Sequence, residues 1–195
     1  MKKVIISLIA GSVFFLLTFS ETQAQSRAPV DPVSQGDWIL NFGIGAGNPY
    51  FNNGYGFGPG FKVAFEGALW QVGPGVFTIG GELGFSYFAY TYANILDVKY
   101  REHWINFMIG ARSAYHYGFK VKGLDVYAGI PLGIGFSAYH YDYYDESWWH
   151  GYHPVFPYVG IFFGTSYFFN PVIGINAEIG YSATYAQIGM VFKIK

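Results

Sequence analysis

The feature that most constrains this chain is a two-residue period in which apolar residues alternate with glycines and small polar residues. Eight stretches between Trp38 and Ile194 carry it. In one, Phe77, Ile79, Leu83, Phe85 and Tyr87 share a phase and Thr78, Gly80, Glu82, Gly84 and Ser86 take the other. In another, Val126, Ala128, Ile130, Leu132, Ile134 and Phe136 oppose Tyr127, Gly129, Gly133, Gly135 and Ser137. Period two sends successive side chains to opposite faces of a strand, whereas a helix would repeat every three to four residues. No segment after the N-terminus sustains the helical repeat.

The second phase decides where the sheet sits. A solvated sheet face is built from residues such as Lys, Glu and Thr, because glycine weakens a strand and covers nothing. Here that face is dominated by glycine, 27 in the chain, and only 12% of residues are charged, about half the share in an ordinary soluble domain. Glycine does fit the crowded inside of a narrow closed barrel. The apolar phase then points outward, which is stable in lipid, and there closure is compulsory because every backbone N–H and C=O must be paired within the sheet. The pattern predicts an all-β fold: an eight-stranded antiparallel up-and-down transmembrane β-barrel, a meander, over residues 37–195.

The N-terminus predicts how such a chain reaches a membrane. Lys2 and Lys3 precede an apolar run from Val4 to Phe19, and Thr22-Gln23-Ala24 offers small residues before a cut. That is the layout of a cleaved signal peptide over residues 1–24. The run is short for a spanning helix, which needs ~20 apolar residues. Residues 25–36, with Pro29 and Pro32, read as an extended periplasmic leader. The chain has no Cys, which excludes disulfides, thiolate metal sites and a lipid anchor on cysteine. A net charge of -1 without clustered Lys and Arg gives no footprint for nucleic acid.

The connections predict an orientation. With the chain start in the periplasm, long connections fall on the outside: Gly47 to Gly58, Thr91 to His103 and Tyr139 to Pro154. Val72 to Gly75, Gly118 to Gly123 and Asn170-Pro171 are short, matching the short periplasmic turns of outer-membrane barrels. The seventh, Ser182 to Thr184, is short where a long one is expected. Trp38, Tyr87, Tyr90, Trp104, Tyr115, Tyr117, Tyr139, Tyr167, Tyr181 and Tyr185 lie near predicted strand ends, where an apolar ring with a wet polar tip suits the membrane interface. His103 and His116 are placed at the interface with them. Pro131 and Pro157 fall inside predicted strands and each removes a ladder donor, so bulges or a displaced strand start are expected there.

On strand count, loop alternation, the glycine-rich inner phase and the last strand, residues 37–195 resemble the small outer-membrane β-barrel proteins of the OmpA/OmpX type. The last strand runs Gln187-Ile188-Gly189-Met190-Val191-Phe192-Lys193-Ile194. Gln187, Gly189, Phe192 and Ile194 look like that family's assembly signal, although the family usually ends on an aromatic residue and this chain ends Ile194-Lys195. The resemblance implies outer-membrane lipid and the barrel-assembly machinery as partners, a location in the cell outer membrane, and no cofactor.

Two groups of residues are candidates for function. Lys62, Glu66, Glu82, Arg112 and Glu178 share the inward phase near mid-height. Charges held away from water need partners, so an interior salt-bridge network is expected, the alternative being a polar pore. Eight strands usually leave an interior just filled by side chains. The segment from Tyr139 to Pro154 is the second. Tyr139, Trp148 and Trp149 are of the types that dominate recognition surfaces, and an extracellular ligand or protein could bind there. His140, His150 and His153 with Asp142, Asp145 and Glu146 match no ligand spacing of a known metal site. Ser113 and His116, three apart, fall on opposite faces of a strand, so no nucleophile with a positioned base is formed. The expectation is a structural or surface-binding barrel and not an enzyme, with a narrow channel or, further off, a lipid-modifying enzyme as alternatives.

Overall fold

The computed structural model describes residues 32–47, 58–93, 99–143, 146–148 and 155–194, and at 90–93, 99–102, 139–143 and 146–148 the description is of the backbone. Ten strands lie among them: β1 (Trp38–Ala46), β2 (Pro59–Val72), β3 (Gly75–Ala93), β4 (Lys99–Gly118), β5 (Leu124–Tyr143), β6 (Glu146–Trp148), β7 (Val155–Val159), β8 (Ile161–Phe168), β9 (Ile173–Tyr181) and β10 (Ala186–Ile194). β1 to β5 pair antiparallel in chain order, β6, β7 and β8 each pair with β5, β8 to β10 again pair in chain order, and β10 pairs β1 from Trp38 opposite Ile194 to Ala46 opposite Ala186. The sheet is therefore closed, and the meander expected from the sequence is the one observed.

The strand count resolves to eight in the barrel wall. β7 and β8 are one wall strand, since Leu132 opposite Val159 and Gly129 opposite Phe162 keep a single register across Gly160. The interruption is Pro131. Its carbonyl accepts the Gly160 N–H at 3.3 Å, but proline has no N–H to return. Here the structure corrects the expectation from the prolines: the ladder loses one hydrogen bond, with neither a bulge nor a displaced start. Pro157 pairs with Ile134 in that same register. The irregularity that does occur lies between Ala68 and Trp70, where β2 shifts against β3. β6 is outside the wall and folds back on the end of β5.

Two expected loops are also revised. β3 runs on to Ala93, β4 begins at Lys99, and β5 reaches Tyr143 before Glu146–Trp148 returns along it. Residues 91–93 and 99–103 of the loop expected at 91–103, and residues 139–143 and 146–148 of the loop expected at 139–154, are thus paired strand, and the rest of both lies outside the described residues. β3, β4 and β5 have 19, 20 and 20 residues against nine for β1, β9 and β10. A tilted strand needs about 9–11 residues to span a bilayer. The nine-residue strands fit that thickness, and β3 to β5 overrun it at the end opposite the termini.

The outer phase is bare and apolar. Ile44, Leu132 and Ile188 are 65%, 63% and 66% exposed, which a sheet in water would not tolerate over a complete circumference. Aromatic rings pair near the terminal end: Trp38 stacks on Phe65 at 5.1 Å, and Tyr117 meets Phe119 edge-on at 4.9 Å. The Tyr115 hydroxyl donates to the Val72 carbonyl at 2.8 Å. At the opposite end Tyr181 and Tyr185 pair at 6.4 Å.

The terminal end is stoppered. Residues 32–37 turn beneath the barrel and insert Val33 among Ile39, Ala68, Val76, Phe168 and Val191. The Gly36 N–H donates to the Ala68 carbonyl at 2.7 Å, and the Ala68 N–H to the Asp37 carbonyl at 2.8 Å. Lys193, inward on the last strand, donates to the Pro32 carbonyl and lies 3.7 Å from Asp37.

Candidate functional site

Alternation on four strands, β2, β3, β4 and β9, sends Lys62, Glu66, Glu82, Arg112 and Glu178 into the lumen, where each is at most 4% exposed. Arg112 is the hub. Its Nε lies 2.6 Å from Glu66, Nη1 3.0 Å from Glu82 and Nη2 2.8 Å from Glu178. Lys62 pairs with Glu178 and stands 3.9 Å from Glu82. The flat guanidinium suits this work, because its donors diverge in a plane and can serve several carboxylates at once. That plane rests on the Phe162 ring, 3.7 Å from its centroid.

Neutral donors complete each carboxylate. Glu66 accepts from Thr78 Oγ1 at 2.6 Å, Glu178 from Tyr127 OH at 3.3 Å, and Glu82 from Tyr158 OH. Ser182 Oγ lies 3.0 Å from Tyr158 OH and accepts from Lys62 at 3.3 Å. Desolvating a charge costs several kcal/mol unless geometry and hydrogen bonds offset it. Here every charged group of the cluster has at least two polar partners.

Sequence reasoning missed Thr78, Asp125, Tyr127, Tyr158, Phe162 and Ser182 as members of this cluster, although Thr78, Tyr127 and Phe162 were on the inward phase. His116 is a correction. Expected at the interface, it faces the lumen at 3% exposure, with Nδ1 2.7 Å from Asp125 and Nε2 3.9 Å from Glu66. The signal was available, because His116 is in phase with Arg112.

Glycines make the room. A Cβ at Gly129 or Gly135 would strike the Phe162 or Phe156 ring, and one at Gly164 the Tyr127 ring. The β9–β10 hairpin uses the same device. Ser182, Ala183 and Thr184 are 2%, 0% and 4% exposed, so this connection folds inward. Gly84 faces Ala183, where an added Cβ would stand 2.5 Å from the alanine Cβ, and Gly45 and Gly60 face Thr184. A long loop was expected here, and the short one is a plug instead. Between it and Val33 the lumen is packed with ion pairs and rings. Such an interior fills space and fixes register, and its charged groups are spent on one another.

The residues proposed for a surface site lie elsewhere. Tyr139, His140 and Asp142 fall on β5, Glu146 and Trp148 on β6, while Asp145, Trp149, His150 and His153 lie outside the described residues. Alternation divides them. His140 is opposite His103, and Asp142 opposite Arg101 and Ser147, on the outer phase. Tyr139, Glu146 and Trp148 take the inner phase. Among the described residues no group of His, Asp and Glu is arranged to hold a metal ion. On β10, Gln187 and Gly189 face inward, and Phe192 and Ile194 outward.

No family model and no curated protein matches the chain. Among solved structures, Ail, the attachment invasion locus protein of Yersinia pestis, is 12% identical with a TM-score of 0.49, over 83% of this chain and 100% of that one. Neisserial surface protein A is 13% identical with a TM-score of 0.46, over 83% and 97%. The outer membrane protein OprG of Pseudomonas aeruginosa is 13% identical with a TM-score of 0.47, over 82% and 96%. These values are too low to carry any property of those proteins to this chain. Its own closed meander of eight antiparallel wall strands, apolar outside and polar within, makes it a small transmembrane β-barrel.

Proposed function

We propose that this protein is an exported, integral outer-membrane barrel that does not conduct and does not catalyse, and that it works through the sheet it raises above the membrane. The observation that carries this reading is the pairing of a bare apolar circumference with a filled lumen. The first places the wall in lipid. The second, among the described residues, fills the bore and pairs its charged groups with one another, which supports a barrel that neither conducts nor catalyses. Residues 1–24 serve as the export signal in this reading, and Gln187, Gly189, Phe192 and Ile194 as the contact for the assembly machinery.

The outer phase of β4 and β5 supports the placement. It changes from Ile105 and Ala138 to His103 and His140 within one step, then to Arg101 and Asp142. Tyr87 OH bonds to His103 Nδ1 at 2.6 Å at that step. Charge on the lipid face costs several kcal/mol at mid-membrane and little near the interface, so this step marks the edge of the lipid on that side.

The test is cell fractionation with a denaturing gel run before and after boiling, then bilayer recording on the purified protein. The expected result is a heat-dependent mobility shift in the outer-membrane fraction and no conductance. Recovery from the soluble periplasm without detergent would overturn the membrane placement, and steady single-channel currents would restore the narrow-channel reading.

A further inference from the structure

The bare outer phase is not uniform. Across β8, β9, β10 and β1 it holds a groove of about 690 Å³. One rim is Leu124, Tyr167 and Ile175, which stand opposite one another in a row. The floor is Thr165 and Ala177, a directly opposed pair of small residues on strands whose outer phase otherwise holds Ile, Phe and Tyr. The Thr165 hydroxyl donates to the Asp125 carbonyl at 3.0 Å, so the wall engages its polar end. Ile188 and Ile44 close the far side, opposite one another.

The groove starts where the wall starts, because Leu124 is the first residue of β5. Just before it, the β4–β5 turn carries Phe119, Lys120, Val121 and Lys122, all exposed. That turn is held in place. The Leu124 N–H donates to the Val121 carbonyl at 3.1 Å, Gly123 takes a φ of 81°, and its carbonyl accepts the Phe168 N–H at 2.9 Å. The neighbouring β8–β9 turn extends the apolar surface with Phe169 and Val172, 61% and 51% exposed. Phe169 meets Tyr167 edge-on at 5.7 Å. Among the described residues, the three turns at this end and residues 32–36 carry no acid. Asp37 and Asp125 are buried beside Lys193 and His116.

We propose that the groove and this turn together bind one anionic phospholipid of the periplasmic leaflet, with acyl chain in the groove and phosphate on Lys120 and Lys122. The inference rests on the reading of the chain as a membrane barrel and names a lipid class that reading leaves open. The groove is part of the apolar circumference that lipid covers, and its volume falls within the range of ligand sites, about 300–1,000 Å³. The lysines lie just past the end of the wall, where headgroups begin. There a lysine can lay its stem along apolar surface and keep its ammonium in water, and an ammonium serves phosphate as a point charge. The turn's hydrogen bonds order the backbone before lipid arrives, which lowers the cost of binding. A second copy of the chain is the rival occupant. Two copies in one membrane share an orientation, so this end of one would meet the same end of the other, and neither offers an exposed acid to the lysines among the described residues.

The experiment is native mass spectrometry of the full mature protein in a neutral polyoxyethylene detergent. Palmitoyl-oleoyl phosphatidylglycerol and the phosphatidylcholine with the same chains are added in equal amounts. The expected result is a single-lipid adduct that favours phosphatidylglycerol by about tenfold or more. Lys120→Gln combined with Lys122→Gln should abolish the preference. Ala177→Phe, which fills the floor, should abolish the adduct, while Ala111→Phe, on the outer phase of β4, should leave it unchanged. Ala177→Leu repeats the test should Ala177→Phe lose the mobility shift on heating, which is measured for every variant. A wild type without that shift would sink the barrel reading itself. With the shift intact, equal retention of the two lipids, an adduct indifferent to Ala177, or a lipid-free dimer that Ala177→Phe dissolves would each overturn the lipid site alone.

Discussion

Replacing Arg112 by Leu tests the lumen directly. Arg112 stands within 3.0 Å of Glu66, Glu82 and Glu178. Its loss leaves Lys62 as the remaining cation of the hub against three carboxylates, none more than 4% exposed. Two routes give the cost. Leaving a buried partner unpaired typically costs about 3–5 kcal/mol. Alternatively one glutamate takes up a proton. From an ordinary carboxyl value of about 4.3, that costs about 3.7 kcal/mol at pH 7, at 1.36 kcal/mol per pH unit. The routes agree on about 4 kcal/mol. The second also fixes the pH dependence. The variant's folded state then holds a proton that its unfolded state lacks at pH 7, so its deficit against the wild type shrinks as pH falls, to about 1 kcal/mol near pH 5. The assay is urea unfolding of protein inserted in phospholipid vesicles, followed by gel mobility at both pH values. Arg112→Leu combined with Glu66→Gln should recover part of the loss, because it removes a stranded carboxylate. A deficit under 1 kcal/mol at pH 7 would refute the network as a stabilising element, and a full deficit of equal size at both pH values would refute the proton uptake.

Three further perturbations probe other parts of the barrel. Ile109→Arg, on the bare outer phase, should cost about 2–4 kcal/mol in vesicle unfolding, while His103→Arg, beyond the lipid edge, should cost under about 1; equal effects would misplace the edge. Gly84→Val forces the Ala183 hairpin to move, at about 1–3 kcal/mol. Bilayer recording on that variant should show a leak absent from the wild type, and a tight barrel would mean the hairpin is not a seal. Val33→Asp puts a carboxylate among Ile39, Val76 and Val191. Without a partner it should cost about 3 kcal/mol or release residues 32–37, which protease sensitivity at the N-terminal side would report; unchanged stability and protection would sink the stopper.

The barrel wall was legible because its alternation is plain wherever glycine opposes an apolar residue, as along Ile130 to Ser137. Legibility stopped where the two phases exchanged roles. From Phe88 onward the aromatics continue at every second residue through Tyr90 and Tyr92, and again through Tyr100, Glu102 and Trp104, but on the phase that held Ser86 and Asn106. Read as apolar-outside, that stretch loses its pattern and becomes a loop. The interior cluster was half legible. Alternation identifies Arg112 and Glu66 as inward but says nothing of distance, so the roles of Tyr158 and Ser182 emerge only once non-adjacent strands are brought together. Pro131 misled for a physical reason. A missing N–H is usually accommodated by a bulge, yet here Gly160 stands opposite, and a side-chain-free partner lets the ladder skip one bond without shifting.

The glycines of the bore and the change of residue type beyond it have one cause. A barrel of eight strands has a narrow lumen, and following its register round the wall returns to β1 about ten residues along, a stagger that keeps the bore near the width of packed side chains. Bulky inward groups therefore need glycine opposite: Phe162 over Gly129, Tyr127 beside Gly164, Ala183 against Gly84. Once the interior is filled this way it cannot also hold a ligand. Above the lipid edge three wall strands and the short β6 continue among the described residues, so the confinement eases there and large residues on the inner phase become admissible. That is where Phe88, Trp104 and Tyr139 begin. The outer phase, relieved of lipid, can carry Arg101 and Asp142 at the same height. The point at which glycine gives way to aromatic on one face is thus the point at which apolar gives way to charge on the other.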